Sequence, residues 1–271
     1  MSITKPRRRI LIAVLAPVLV LIAAAAPLAY LTFLRSPEHT PGDFLADDRG
    51  DKPVVLVAGA SSVHGIGSAD FVSVLRERMG EERTFVNAGH NGDTAADLLA
   101  RADELVAVRP DHAAILVGTN NVLAAETDEE TALSDYRTDL QALAARLDTE
   151  TGAQLAFYSL QPLGEDLDDD GNRRLARFNQ VITEVAASVG AAYLPLNETL
   201  TATIRAEGGS QPCGFSLGAA ALAGARHYYL GQSWDEVGRA NGYTVLTDGV
   251  HLNDRGASAA ADLAEHWLRG R

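Results

Sequence analysis

The sequence of 271 residues contains a single cysteine, Cys213, and only two lysines, Lys5 and Lys52. One cysteine excludes an intramolecular disulfide and a metal cluster held by several thiolates. Positive charge is also scarce, because 23 lysines and arginines face 36 aspartates and glutamates, for a formal net charge of −13. Phosphate backbones are bound by clustered lysine and arginine, so this balance argues against a nucleic-acid partner. Hydrophobic residues make up 46% of the chain, enough for one α/β domain with a buried core.

An uncharged apolar run extends from Ile10 to Leu34. It is long enough to cross a hydrocarbon core, which needs about 20 residues. Because basic residues precede the run, the positive-inside rule places the N-terminus in the cytoplasm and the remainder of the chain outside. We therefore predict a basic cytoplasmic tail over residues 1–9 and a transmembrane signal anchor over residues 10–34. The alternative is a secretory signal peptide cleaved after Ala23–Ala26, and both interpretations export the domain.

Residues 35–52 are polar and contain proline and glycine, which predicts a linker. From residue 53 onward, short apolar runs typical of buried parallel strands alternate with stretches of helical periodicity. The predicted strands are Val54–Ala58, Phe85–Asn87, Ala113–Val117, Leu155–Tyr158 and Ala192–Leu194. The predicted helices are Phe71–Met79, Ala95–Val106, Thr131–Leu147, Arg173–Val189 and Ala257–Leu268. This alternation predicts a doubly wound α/β domain over residues 53–271, with a central parallel sheet of about five strands. Residues 199–245 break the pattern and are predicted to form an insertion, either a covering subdomain or a substrate lid.

Four polar clusters lie at the ends of predicted strands and helices of this domain. The first strand leads into Gly59–Ser61, where a serine at a strand's carboxyl end is placed to act as a nucleophile beside backbone N–H groups. The second and third strands lead to Gly92 and Asn120, which offer a backbone N–H and a side-chain amide. Asp248 precedes His251 by three residues, so the acid can orient the imidazole and stabilise its cation. Because ligands of doubly wound sheets bind at the strands' carboxyl ends, we expect these clusters to converge.

In order and spacing, these segments resemble the four sequence blocks of the SGNH, or GDSL-lipase, hydrolase superfamily. The resemblance covers residues 53–271 and implies a flavodoxin-like three-layer α/β/α sandwich. It implies that Ser61 attacks an ester carbonyl, that His251 is the base and that Asp248 orients His251. It also implies an oxyanion hole made by the backbone N–H groups of Ser61 and Gly92 and by the amide of Asn120. Neither a metal nor an organic cofactor is implied.

The resemblance leaves the substrate open among small-molecule, lipid and glycan esters. The resemblance implies hydrolysis through an acyl-enzyme on Ser61, and the predicted anchor places this reaction at the membrane on the extracytoplasmic side. The alternatives are an acyltransferase, in which a sugar hydroxyl replaces water, and a catalytically silent carbohydrate- or lipid-binding module. Two positions depart from the family pattern, since Ala60 and Asn121 replace aspartates that help to hold the loops.

Three other motifs have more ordinary explanations. Residues 59–67 and 86–89 also resemble turns of short-chain dehydrogenases, but that chemistry needs a lysine four residues after a tyrosine, and no lysine follows Lys52. Gly214–Gly218 matches the nucleophile elbow of α/β-hydrolases without a preceding strand, so we predict a turn within the insertion. A twelve-residue EF-hand loop beginning at Asp166 would lack its terminal glutamate, since residue 177 is an arginine, which favours a solvated acidic loop before a helix.

Overall fold

The computed structural model describes residues 23, 25–47, 50–209 and 211–270. Its centre is one five-stranded sheet in which all neighbouring strands are parallel, in the order β2-β1-β3-β4-β5. The strands are β1 (Val54–Gly59), β2 (Thr84–Gly89), β3 (His112–Leu116), β4 (Gln154–Tyr158) and β5 (Ala192–Leu194). This is the flavodoxin-like strand order. The predicted α/β class and five-stranded parallel sheet are confirmed.

Helices cover both faces of the sheet. They are α1 (Pro41–Ala46), α2 (Ser61–His64), α3 (Phe71–Met79), α4 (Ala95–Ala100), α5 (Ala102–Ala107), α6 (Thr119–Ala124), α7 (Glu129–Thr151), α8 (Asp170–Ser188), α9 (Leu196–Glu207), α10 (Leu217–Leu230), α11 (Trp234–Ala240) and α12 (Asp254–Leu268). Contacts group α3, α9 and α12 on one side and α4, α5, α7 and α8 on the other. β1 lies between them and is buried along its whole length, as expected for a central parallel strand.

Two parts of the structure differ from the sequence-based expectation. The single helix predicted over residues 95–106 is two helices, α4 and α5, which meet at Arg101. The side chain of Arg101 turns toward the sheet, where it donates to the carbonyl of Ala88 at 2.7 Å. The predicted insertion is helical over much of its length, since α10 and α11 lie within it and α9 enters it from residue 196.

Residues 30–47, here called the N-terminal segment, lie against the domain. They begin with a π-helical turn over Tyr30–Leu34, in which Thr32 is buried. The hydroxyl of Tyr228, in α10, donates to the carbonyl of Leu31 at 3.2 Å. Further along, the N–H of Asn87 in the edge strand β2 donates to the carbonyl of His39 at 2.9 Å. The segment therefore contacts both the insertion and the sheet.

The transmembrane anchor predicted over residues 10–34 falls mostly on residues 10–22, which lie outside the described residues. Within the ranges that the structure describes, none of the helices combines the length and the apolar character needed to span a membrane. The anchor stays a prediction.

Candidate active site

The site begins where β1 ends. The chain turns at Ala60 directly into α2, a single helical turn that starts at Ser61. β2 holds this turn from the side, because the buried amide of Asn87 donates to the carbonyl of Val63 at 2.8 Å. The backbones approach so closely that a Cβ at Gly89 would lie 2.1 Å from the nitrogen of His64. Only glycine fits there, and the close contact fixes the position of Ser61 relative to the sheet.

Three of the residues singled out in the sequence form one chain of hydrogen bonds. The Ser61 Oγ lies 2.9 Å from the Nε2 of His251. The Nδ1 of the same ring lies 2.8 Å and 3.1 Å from the two carboxylate oxygens of Asp248. A ring that donates from Nδ1 to the carboxylate presents its bare Nε2 to the serine hydroxyl, which is the arrangement required to remove the serine proton.

A tight loop between α11 and α12 places Asp248 and His251. Leu246 and Leu252 form an isolated antiparallel bridge that closes the loop. Within it, the N–H of Thr247 donates to the carbonyl of His251 at 2.8 Å. The carboxylate of Asp248 is buried and accepts the backbone N–H groups of Val250 and His251 at 3.1 and 3.0 Å. These hydrogen bonds compensate for the burial of the Asp248 charge, and they fix the carboxylate beside the ring of His251.

Burial and charge shift the pKa values of Asp248 and His251 in opposite directions. Burial by itself lowers the pKa of His251, but the charge of Asp248 and the hydrogen bond to it prevail and hold that pKa above its ordinary value. For Asp248, burial alone raises the pKa, while the charge of His251 and hydrogen bonds from the ring and backbone leave it lowered. The lowered pKa keeps the Asp248 carboxylate ionised, and its charge favours the protonated form of the His251 ring.

The two other predicted donors lie at the ends of β2 and β3. Gly92 has a φ of +87°, which favours glycine, and it is exposed in the loop after β2. The amide of Asn120, in the first turn of α6, donates to the backbone carbonyl of Asp93 at 2.9 Å. Asn121, one of the two departures from the family pattern, also supports this loop, because its side-chain oxygen accepts the N–H of Ala95 at 3.0 Å.

An ion pair that the sequence analysis missed lies beneath the Gly92 loop. The guanidinium of Arg101 donates to the carboxylate of Asp93 at 2.7 Å, and the Asp93 side chain is only 7% exposed. A second nitrogen of Arg101 donates to the end of β2 at Ala88. His90 is exposed, and its Nδ1 lies 2.9 Å from the other oxygen of Asp93.

Gln161, also missed in the sequence, joins the two halves of the site. Its buried amide nitrogen lies 2.8 Å from the Oγ of Ser62 and 3.1 Å from the carbonyl of Val250. These neighbours directly adjoin Ser61 and His251. Nearby, the N–H of Gly164 donates to the carbonyl of Gly249. The loop after β4 therefore holds the histidine loop against the serine turn.

The remaining motifs serve structural roles. The hydroxyl of Ser216 accepts the N–H of Ala219 and caps α10, so Gly214–Gly218 is not a nucleophile elbow at a strand end. Phe215, just before that cap, places its ring 6.0 Å from the ring of His251 and brings the insertion to the site. Asp169, in the acidic loop, caps α8. In the described part of the chain, no group of three or more potential ligands could hold a metal ion.

The sequence profile of the GDSL-like lipase/acylhydrolase family matches residues 56–259, most of the chain. The chain belongs to this family. The resemblance noted in the sequence is thereby confirmed, and the protein is an ester-cleaving hydrolase. A search of curated protein sequences found no match.

Solved structures of esterases share the fold of this hydrolase. An acetyl xylan esterase, AlAXEase, aligns with a TM-score of 0.62 at 17% identity, over 79% of this chain and 99% of that chain. A lipase/acylhydrolase from Enterococcus faecalis aligns with a TM-score of 0.54 at 20% identity, over 80% and 96%. A catalytic mutant of the acetylxylan esterase Axe2 from Geobacillus stearothermophilus gives 0.57 at 16% identity, over 81% and 94%. At these identities the likeness shows the fold alone.

Proposed function

We propose that this family member is a serine ester hydrolase that works through an acyl-enzyme on Ser61. The observation that carries the proposal is the unbroken chain of hydrogen bonds from Ser61 through His251 to Asp248, at 2.9 and 2.8 Å. A serine hydroxyl is a weak nucleophile at its own pKa and needs an adjacent base, which in turn needs an orienting group. All three parts are present at hydrogen-bonding distance.

In the first step, the Ser61 Oγ forms a bond to the ester carbonyl carbon while its proton passes to the Nε2 of His251. The tetrahedral intermediate then collapses, and the alcohol leaves with the proton from Nε2. In the second step, water gives a proton to Nε2 as it attacks the acyl carbon. The Ser61–acyl bond breaks, the proton returns to the Ser61 Oγ, and the acid is released. Asp248 remains ionised throughout and stabilises the imidazolium.

The negative oxygen of each tetrahedral intermediate needs hydrogen-bond donors that are already in place. We assign this role to the N–H groups of Ser61 and Gly92 and to the amide of Asn120. Ser61 opens α2, so its N–H has no acceptor within that helix. The hydrogen bond from Asn120 to the Asp93 carbonyl uses one of its two amide protons and leaves the second for the oxyanion.

The location and substrate are the finer parts of the proposal. The apolar run over residues 10–34, with basic residues before it, supports an anchored hydrolase whose domain lies on the extracytoplasmic side. Its substrate is a small-molecule, lipid or glycan ester. Acetyl xylan esterases among the structural neighbours favour including acetylated sugars in the first screen. A sugar hydroxyl could replace water in the second step, which would make the protein an acyltransferase.

The test uses the full chain in detergent with p-nitrophenyl esters of increasing acyl length. Wild-type protein should release p-nitrophenol, whereas Ser61→Ala and His251→Ala should lose nearly all activity. Ser216→Ala is the matched control, because this serine caps a helix in the insertion, and it should retain activity. Loss of activity in Ser216→Ala with retention in Ser61→Ala would contradict the assignment. Acylated sugar formed when acetyl donor and xylan oligomers are mixed would identify a transferase.

A further inference from the structure

An exposed apolar surface lies where the N-terminal segment meets the insertion. Its residues belong to the π-helical turn and to α10, and each has about half or more of its surface exposed. They are Tyr30, Leu34, Leu217, Leu222, Tyr229 and Leu230, and we call them the apolar face. Soluble proteins rarely expose several large apolar side chains together, and such patches mark contact with another molecule or with a membrane.

The arrangement of α10 explains why Leu222 and Tyr229 point away from the domain. Its inner side consists of small residues: Ala220, Ala223 and Gly224 are buried. Gly224 faces Thr32 so closely that a Cβ there would lie 2.2 Å from the Thr32 hydroxyl. The large residues Leu222 and Tyr229, seven positions apart, fall on the opposite side. A helix with its small residues inward and its large apolar residues outward reverses the usual amphipathic pattern.

The charge distribution favours a lipid surface over water as the neighbour of this face. The chain carries 36 acidic residues, yet none lies in Tyr30–Leu34 or in Leu217–Leu230. The two basic groups of α10 contact other residues of the domain: Arg226 lies 3.3 Å from the side-chain oxygen of Asn241, and the ring of His227 stacks on Trp234 at 4.1 Å. Neither segment therefore contributes an acidic side chain that lipid phosphates would repel.

The position of the apolar face along the chain favours a lipid bilayer as its neighbour. Tyr30 and Leu34 end the apolar run that begins at Ile10. Directly before the π-helical turn, Ala25, Ala26 and Pro27 are helical and exposed, so this described part of the run does not pack on the domain. A run that enters a bilayer at this point brings α10, which is hydrogen-bonded to Leu31, to the bilayer surface.

We propose that the apolar face rests in the outer lipid surface and holds the hydrolase in a fixed orientation on the membrane. The proposal rests on the anchored location given above. Burial of the side chains in the headgroup and acyl boundary is the mode of interfacial helices. One end of the face adjoins Phe215, whose ring lies beside His251, so this orientation brings the reaction site next to the lipid surface. Esters presented in that surface are the substrate class it fits.

The experiment places an environment-sensitive NBD fluorophore at position 222 of the full chain, as Leu222→Cys in a Cys213→Ser background. The protein is reconstituted in vesicles of phosphatidylcholine and phosphatidylglycerol. Val189→Cys is the matched control, because Val189 is also a partly exposed apolar residue but follows α8 beside β5. Quenching is compared between nitroxide-labelled lipid and aqueous iodide, and alkaline washing followed by flotation reports whether the chain is anchored.

The proposal expects the probe at 222 to be quenched by the lipid nitroxide and shielded from iodide, and the probe at 189 to show the reverse. If iodide quenches both probes in protein that floats with the vesicles and resists alkaline washing, the apolar face does not contact lipid, although the chain is anchored. That result would overturn the proposal. Lipid quenching at 222 in protein that alkaline washing releases would support the face and contradict the anchor. Shielding from both quenchers that grows with protein density would overturn the proposal in favour of a second copy of the chain.

A functional variant gives a second readout. Leu222→Glu places a charge in the face without touching the reaction site. Hydrolysis of a soluble acetyl ester should be unchanged, while the KM for an ester embedded in vesicles should rise about tenfold, as expected for losing the burial of one leucine. An equal loss of activity on both substrates, or no change on either substrate, would contradict a lipid-surface role.

Discussion

The side-chain amide of Asn120 donates to the backbone carbonyl of Asp93 at 2.9 Å, across the crevice between the ends of β3 and β2. This bond joins two of the loops whose donors we assign to the oxyanion. Asp93 is itself fixed from below by Arg101. The position of Gly92 is therefore set by its neighbour Asp93, which contacts both the amide of Asn120 and the partly buried guanidinium of Arg101.

The first prediction concerns the support that Asp93 gives to the Gly92 loop. Asp93→Ala removes the nearer of the two carboxylates beside Arg101, leaving only Glu104 at 3.8 Å, and frees the Gly92 loop. We expect kcat to fall at least about tenfold with KM much less affected, because the loss falls on stabilisation of the transition state. Thermal unfolding should also occur at a lower temperature. Arg146→Ala is the control: its ion pairs with Asp103 and Glu150 are exposed, so both properties should change little. An unchanged kcat in Asp93→Ala would contradict the positioning role.

The second prediction separates the two neighbouring asparagines. Asn120→Ala removes an oxyanion donor and should lower kcat by about 10²–10³. Asn121→Ala removes only the acceptor for the N–H of Ala95, so its effect on kcat should be clearly smaller. Single-turnover kinetics of both variants make the comparison independent of product release. Equal losses would mean that Asn120 acts only by holding the loop.

The third prediction is the pH dependence of kcat/KM. His251 must be neutral to accept the Ser61 proton, so kcat/KM should rise with pH through a pKa above the ordinary value of about 6.5, because Asp248 raises it. Asp248→Asn removes that charge and leaves burial to lower the pKa of His251. The rising limb should then move to lower pH while the rate falls, by about 10⁴-fold in comparable sites. A limb that stays in place would show that Asp248 does not set this pKa.

The fourth prediction links stability to the N-terminal segment. His64 is buried, and its Nε2–H donates to the carbonyl of Arg35 at 2.5 Å. Burial, only partly offset by that bond, lowers its pKa. The folded state thus binds fewer protons than the unfolded state as the pH falls through about 6.5, so stability should decrease there.

His64→Gln should lose less stability between about pH 7 and pH 5 than the wild type. His112, whose pKa is also lowered by burial, is present in both proteins. An identical pH dependence of urea unfolding in the two proteins would contradict the assignment.

The sequence was sufficient for the fold because its signals are local. Buried parallel strands such as Val54–Gly59 are continuous apolar runs, and motifs directly after β1, β2 and β3 share one edge of the sheet. Gln161 had no comparable signal, since it contacts Ser62 and Val250, which are 99 and 89 positions away. The break at Arg101 was missed for a similar reason: the helical periodicity continues through it, while a contact with β2 ends the helix. The contacts of residues 30–47 likewise depend on tertiary packing.

Labelling with a fluorophosphonate is the most direct test of an activated serine at position 61. The reagent phosphonylates a serine only when a base and an oxyanion site activate its hydroxyl. In the full-length protein, peptide mass spectrometry should place the adduct on Ser61, and His251→Ala should abolish it while Ser216→Ala leaves it intact. An adduct on any other serine, or the absence of labelling in folded protein, would contradict the proposed reaction.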